Sequence, residues 1–422
     1  MQQTYFSRLL AIVILFWVAF PSAGQELQIG NPEQLGVSTE RLSKLTQSLD
    51  EFVNSGRLPG TVTIILKNGK VIFEHANGMR DIEAQDAMET TDLFRIASQT
   101  KAIISAGILL LQEDGKLIVT APASRYLPEF AKTTVAVPNG DGYDVVDARR
   151  QITIRHLLTH TSGIGYGYGP AADKWKEAEI QGWYFADREE PIRETVRRMA
   201  ALPMDRQPGE EFVYGYSIDI LGAVIEEVSG QPLDVFLKDR IFEPLGMMDT
   251  HFYLPAEKLD RLAVVYSSID GSLSRAADSS TMNGQGEYSS GPMKSFSGGA
   301  GLLSSAADYA RFLQMILDGG SGNGKQILSP VSVSSMLSDH VGHLNRTNGT
   351  GFGLGFQLIL DPGAYGQLST KGEFSWGGAY HSTYFVSQEY QTVVVYFTQV
   401  NPARGLDDHD QLRALTYQAL LH

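Results

Sequence analysis

"FSWGGAYHSTYFVSQEYQTVVVYFTQ", residues 374–399, decides the fold. Its runs of β-branched and aromatic residues on either side of Ser387-Gln388-Glu389 read as two strands around a turn. The same signature stands near the other end of the chain. "TVTIILKNGKVIFEHANGM" (61–79) places two β-branched runs around Asn68-Gly69, a hairpin pattern. Between these strand regions the period changes to that of helices. Residues 102–111 are apolar on every side of an expected helix that starts at Ser98 and stops at Asp114-Gly115, while "SIDILGAVIEEVSG" (217–230) has Ser217 as its expected cap and Gly230 as its stop. "TIRHLLTHTSG" (153–163) is expected as a short helix ending in glycine. Helices are also expected after Ser38, over 305–320 and at the C-terminal end from Asp408. Residues 131–150 read as a loop with a short hairpin, and 268–300, rich in Ser, Gly, Ala and Asp, as a long surface excursion.

Strands at both ends and helices in the middle imply an α/β (α+β) fold. One antiparallel sheet is built from both chain ends and flanked by helices, with a mainly helical region inserted. The expected organisation is one domain over 25–422, with the sheet-bearing part at about 25–95 and 290–422 and the helical part at about 96–289.

The 422 residues are 43% hydrophobic and 19% charged, the composition of a globular chain. A net charge of −14 argues against nucleic acid or an anionic membrane as partner. With no cysteine, disulfides and thiolate metal sites are excluded. Residues 1–24 carry one charge, Arg8, before an apolar run from Leu9 to Phe20 that is short for a bilayer span; Ser22 and Gly24 then offer a cleavage site. A secretory signal peptide is therefore expected, with a mature chain starting near Gln25, no stable membrane span after cleavage, and a periplasmic or secreted location.

One residue looks misplaced. Lys101 stands at the mouth of the most apolar helix, three positions after Ser98, so both side chains project from one face. Burying an ammonium is costly unless it is paired or gives up its proton. A serine hydroxyl, in turn, is a weak nucleophile until a base takes its proton. A free amine near a helix N-terminus, in apolar surroundings that disfavour the ammonium, can be that base. The spacing by itself is equally that of an exposed lysine at a helix start. A second element is "PGEEFVYGYSIDILG" (208–222), where Tyr214 falls on a loop ahead of a buried helix and its phenol could relay a proton. In the third, "FSWGGAYHS" (374–382), two glycines interrupt a strand, as happens where a ligand or another backbone comes close.

With these residues in place, the chain resembles the serine β-lactamase and penicillin-binding-protein superfamily, with its nearest likeness to class C β-lactamases and family VIII carboxylesterases. The resemblance spans roughly residues 30–420. It rests on Ser98-Gln99-Thr100-Lys101, Tyr214-Gly215-Tyr216 and Trp376-Gly377-Gly378, and on the longer phrases "RHLLTHTSG", "PGEEFVYGYSIDILGAVIEEVSGQPLDVFLKDRIFEPLGM" and "FSGGAGLLSSAADYARFL". It implies an acyl-enzyme on Ser98, proton transfer by Lys101 and Tyr214, an oxyanion held by the backbone N–H groups of Ser98 and Ala379, and substrate contacts from Trp376, Gly377 and Gly378. No metal or organic cofactor is implied, and the expected partner is a small-molecule ester or amide. Two departures from class C β-lactamases stand out: Tyr216 replaces an asparagine, and Trp-Gly-Gly replaces Lys-Thr-Gly, whose lysine helps hold a β-lactam carboxylate. The Trp-Gly-Gly form resembles the esterases, so ester hydrolysis is the expected activity. A β-lactamase or a D-amino-acid peptidase acting on cell-wall-type substrates is the alternative.

Two other signals are expected to be structural. His156 and His160 have the spacing of a helical zinc pair but lack a following glutamate and a third ligand. "GFGLG" (351–355) and "GGSGNG" (319–324) do not join a strand to a helix in a dinucleotide-binding pattern.

Overall fold

The computed structural model describes residues 27–345 and 348–421; the leader expected over 1–24 lies outside the described residues. Among the described residues no helix is long and apolar enough to cross a membrane.

The sheet has eight strands. From the first part of the chain come β1 (Gly60–Lys67), β2 (Lys70–Asp81) and β3 (Asp86–Ala87). From the last part come β4 (Thr350–Phe352), β5 (Gln357–Ile359), β6 (Phe374–Gly377), β7 (Thr383–Ser387) and β8 (Thr392–Phe397). Their order across the sheet is β4-β5-β6-β7-β8-β1-β2-β3. The two ends of the chain therefore meet at the β8–β1 seam, which is antiparallel with Val62 opposite Phe397 and Leu66 opposite Val393. Asn68 and Gly69, at φ 51° and 72°, make the tight β1–β2 turn.

Residues 374–399 form three strands, not the expected two. The extra break falls at the two glycines, where the chain turns: Gly378 N–H donates to the Ser382 carbonyl at 2.8 Å, and His381 N–H to the Gly378 carbonyl at 3.1 Å.

Both faces of the sheet are buried, as the pattern of β8 requires. Val393, Val395 and Phe397 join the larger core, and Val394 and Tyr396 the smaller one on the opposite face. The smaller core is closed by α1 (Thr39–Asn54), which turns Leu42, Leu45, Leu49 and Phe52 inward at helical spacing, and by the C-terminal helix. Ser38 caps α1 by accepting the Arg41 N–H. The larger core is built on α2 (Thr100–Glu113), buried from Thr100 through Leu111, and α3 (Ser217–Ser229). Each aliphatic side chain removed from water there contributes roughly 1.5–3 kcal/mol. α4 (Ala306–Leu317), capped by Ser305, covers the same sheet face, and α5 (Asp408–Ala419) ends the described chain.

Three local expectations change. Ser217 is not a cap: it lies in the first turn of α3, and its Oγ is 2.8 Å from Ser162 Oγ. The helix expected to run to Gly163 covers only Ile154–Leu158, after which His160 turns the chain at φ 54°. The excursion over 268–300 begins as a surface hairpin, but Ser295, Ser297 and Ala300 are buried, and this second half enters the site described below.

Candidate active site

Ser98 sits on a single 3-10 turn, Ala97–Gln99, that leads directly into α2. Ala97 is held at φ 43°, a left-handed conformation costly for a residue with a Cβ. The neighbours impose it: Ile96 N–H donates to the Leu302 carbonyl, Thr100 Oγ1 accepts the Leu302 N–H, and the Tyr309 hydroxyl donates to the Gln99 carbonyl at 2.9 Å.

Lys101 is 2% exposed. Its Nζ lies 3.2 Å from Ser98 Oγ, 3.1 Å from the Tyr166 hydroxyl and 2.7 Å from the Gly299 carbonyl, to which it donates. The amine also stands 4.6 Å from the centre of the Tyr214 ring. Asp219, buried in the first turn of α3, accepts from Ser297 Oγ at 2.6 Å and from the Gly299 N–H at 3.0 Å. Burial, only partly offset by the Ser297 hydrogen bond and the nearby Lys101 amine, holds its carboxyl above the ordinary range. Gly299 thus joins the Asp219 carboxyl to the Lys101 amine, which makes a buried lysine tolerable here.

The structure brings Ser98, Tyr214, Trp376, Gly377, Gly378 and Ala379 to one cavity of about 630 Å³, with Lys101 at its base. The tyrosine hydroxyl in hydrogen-bond contact with Lys101 is that of Tyr166, however. The Tyr214 hydroxyl accepts the Trp376 indole N–H at 3.1 Å. Trp376 therefore presents a wall to the cavity, its one donor already engaged. Burial pushes the Tyr166 phenol well above its ordinary range, so it remains neutral at any physiological pH. Tyr216 is wholly buried against Trp175, with its hydroxyl 3.3 Å from the Tyr166 carbonyl.

The two glycines differ. A Cβ on Gly378 would lie 2.5 Å from the Ile96 carbonyl oxygen, so only glycine lets the end of β6 pack against the segment carrying Ser98. One on Gly377 would approach nothing nearer than the Ser382 carbonyl at 3.2 Å. Ala379, next in the chain, lines the same cavity as Ser98.

Tyr166, Trp183, Asp219 and Gly299 were not singled out by sequence reasoning. Tyr166 follows the glycine-rich turn after "THTSG", and Trp183 lines the cavity from another loop. One cation, Arg413, also lines it, but its guanidinium is paired with the buried Glu373 and stacked over the Phe385 ring at 4.4 Å. The two spaced histidines part company. His156 Nδ1 accepts the Thr153 N–H in a capping box, and His160 packs against Phe212, Tyr214 and Phe352.

The sequence profile of the β-lactamase family matches residues 45–418. The chain belongs to that family. Within it, the chain is 33% identical over 362 residues to the esterase EstB of Burkholderia gladioli, covering 82% of this chain and 87% of EstB. It is 29% identical over 369 residues to the lovastatin esterase of Penicillium rubens, covering 80% and 88% of the two chains. The solved structure of EstCE1, described as a hydrolase with promiscuous acyltransferase activity, superposes with a TM-score of 0.77 at 29% identity, covering 90% of this β-lactamase-family chain and 99% of its own. The eight-stranded sheet with its helical insertion is the fold shared with that structure.

Proposed function

We propose that this protein hydrolyses carboxylic esters through an acyl-enzyme on Ser98, with Lys101 and two tyrosines moving the proton. It is a serine hydrolase of the carboxylesterase type. The observation that carries the mechanism is the enclosed Lys101 amine, 3.2 Å from Ser98 Oγ and held in place by Tyr166 and Gly299.

As Ser98 Oγ attacks the ester carbonyl, the free amine of Lys101 takes its proton. Charge gathers on the carbonyl oxygen, which the backbone N–H groups of Ser98 and Ala379 receive; one such donor is typically worth ~3–4 kcal/mol. When the tetrahedral intermediate collapses, the proton passes to the departing alcohol. Tyr166 takes the proton from the amine while passing its own hydroxyl proton to Tyr214, its hydrogen-bond neighbour, and Tyr214, which lines the cavity, gives its own to the leaving oxygen, so each phenol ends neutral. Water then attacks the acyl group by the same steps in reverse. Trp376, Gly377 and Gly378 form the substrate wall. In this reading the enzyme works in the periplasm or outside the cell, on the strength of the apolar leader.

A fluorophosphonate probe followed by peptide mass spectrometry tests the nucleophile: one adduct is expected, on Ser98. A panel of p-nitrophenyl butyrate, a cephalosporin and a D-Ala-D-Ala peptide tests the substrate class, with the ester expected to be fastest. An unlabelled Ser98, or a peptide or cephalosporin cleaved in preference to the ester, would overturn this reading.

A further inference from the structure

The Gly378–Ser382 turn is gripped by the first two residues of α5, of which His409 also lines the cavity. His381 adopts φ 62°, an uncommon choice for a residue with a side chain. Its Nε2 donates to Asp408 Oδ1 at 2.8 Å, and the His409 Nε2 donates to the His381 carbonyl at 3.1 Å. The two imidazoles stack, centroids 4.1 Å apart and planes 15° from parallel. Asp408 is almost fully buried, and its second oxygen accepts the Tyr396 hydroxyl of β8 at 2.7 Å. Burial alone would raise the Asp408 carboxyl, but the His381 hydrogen bond and the surrounding imidazoles and phenol outweigh it and hold it below the ordinary range. In the same turn, the Tyr380 side chain is buried beside Ala97 and Ala300, and the Tyr380 carbonyl accepts the Val400 N–H at 3.0 Å.

His381, Asp408 and His409 could also be read as three metal ligands, since their ligand atoms lie within 4.8 Å of one another. The ring geometry speaks against that. An imidazole binds an ion in its own plane, and two nearly parallel stacked planes share no such point near both rings. Both Asp408 oxygens are also hydrogen-bonded within the protein. What remains is a clamp on the backbone two residues from Ala379.

We infer that His381 and Asp408 are a positioning pair: the hydrogen bond between them fixes the turn so that the Ala379 N–H is aimed at the developing oxyanion. This rests on the reading of Ala379 as an oxyanion donor. Tyr380 anchors the turn to the segment carrying Ser98, and His381 anchors it to α5, so the N–H between them is held from both sides. Loss of the His381 anchor leaves the substrate wall in place and lets the donor drift, which costs rate rather than binding.

The test uses His381→Gly, which accepts the left-handed backbone without strain and removes the tether, and Asp408→Asn, which keeps the shape and one acceptor oxygen. With p-nitrophenyl butyrate, kcat is expected to fall about tenfold to hundredfold in His381→Gly, the scale of sub-ångström misplacement of a catalytic group. It should fall less in Asp408→Asn, with KM within about threefold in both. The inhibition constant of phenylboronic acid, whose Ser98 adduct places an oxygen in the oxyanion position, should rise by the same factor as kcat falls. The double variant should be no worse than His381→Gly alone, because both break one contact. An unchanged kcat, a loss carried by KM, an unchanged boronate affinity or additive losses would overturn the inference; if His381→Gly does not fold, Asp408→Asn decides alone by the same readings. Gly378→Ala separates this failure from that of the underlying reading. If it too leaves kcat intact, the oxyanion assignment falls; if it cuts kcat while His381→Gly does not, only the positioning pair falls.

Discussion

Gly378→Ala adds one methyl group at the point where β6 meets the nucleophile segment. The new Cβ would stand 2.5 Å from the Ile96 carbonyl oxygen and 2.7 Å from Ser382 Oγ. The serine hydroxyl can rotate away, but the carbonyl belongs to backbone that already holds Ala97 at φ 43°. Ordinary contact begins near 3.4 Å, so the end of β6 must withdraw by about 1 Å, carrying the Ala379 N–H with it. A displacement of that size costs about 10²-fold, within the ~10²–10³ of a lost oxyanion donor. Steady-state kinetics on p-nitrophenyl butyrate should show kcat reduced about a hundredfold, with KM changed only a few-fold and the melting temperature nearly kept. Gly377→Ala is the internal control. Its Cβ meets the Ser382 carbonyl at 3.2 Å, which a shift of a few tenths of an ångström relieves, so kcat should fall less than about fivefold. A folded Gly378→Ala enzyme with normal kcat, or a Gly377→Ala enzyme more damaged than it, would refute the placement of the oxyanion at Ala379.

Ser98→Ala and Lys101→Ala should each lower turnover by several orders of magnitude, and the double variant should be little worse than either, as expected of groups acting as one unit; additive losses would separate them. Tyr166→Phe and Tyr214→Phe should each slow turnover by ~10²–10⁴, while Tyr216→Phe, whose hydroxyl only approaches the Tyr166 carbonyl, should do far less; the reverse order would reassign the proton relay. In a matched pair of esters differing by one carboxylate, the neutral member should be cleaved faster, because Arg413 is already neutralised by Glu373 and Trp376 offers no charge; a tenfold preference for the anion would show that Arg413 is available to substrate. Burial raises the Asp308 carboxyl from 3.8 to about 6, so its protonated form favours the folded state: that stabilisation is complete below about pH 4 and is lost as pH rises through 6. Asp308→Asn should therefore gain stability relative to the wild type by up to about 3 kcal/mol between pH 4 and pH 6.5 in urea titrations; a gain that shrinks with rising pH would reverse the sign.

The sheet was legible at its ends because each strand region carries a local signal. Asn68-Gly69 sets the β1–β2 turn by its own backbone preference, and the unbroken apolar run from Val393 to Phe397 demands cover on both faces whatever follows. The break inside residues 374–399 was only half legible. Gly377 and Gly378 marked a place where a ligand or another backbone comes close, but not which: the Ile96 carbonyl, 282 positions before Gly378, makes that approach. Ser217 shows the opposite failure. A serine ahead of an apolar run is a good local cap signal, but its hydroxyl is taken by Ser162 and the helix starts one residue early.

The site divides along the same line. Ser98 and Lys101 share one turn of chain, and Lys101 draws notice because a charge at the mouth of a buried helix contradicts its surroundings. The groups that make it tolerable are remote: Tyr166 lies 65 residues away and the Gly299 carbonyl 198. A backbone carbonyl has no residue-type signature at all, and glycine at 299 advertises a turn rather than an acceptor. Its stretch reads as surface by composition, because small residues serve equally for a flexible loop and for a chain threaded tightly beneath an active site. What separates the two is Asp219, a carboxylate in the first turn of a helix buried from Ser217 through Ile225, which is costly there unless something buried comes to meet it. Read together, the lysine and the aspartate are two charges out of place in two buried helices, and that shared anomaly was the available signal that a third segment must pass between them.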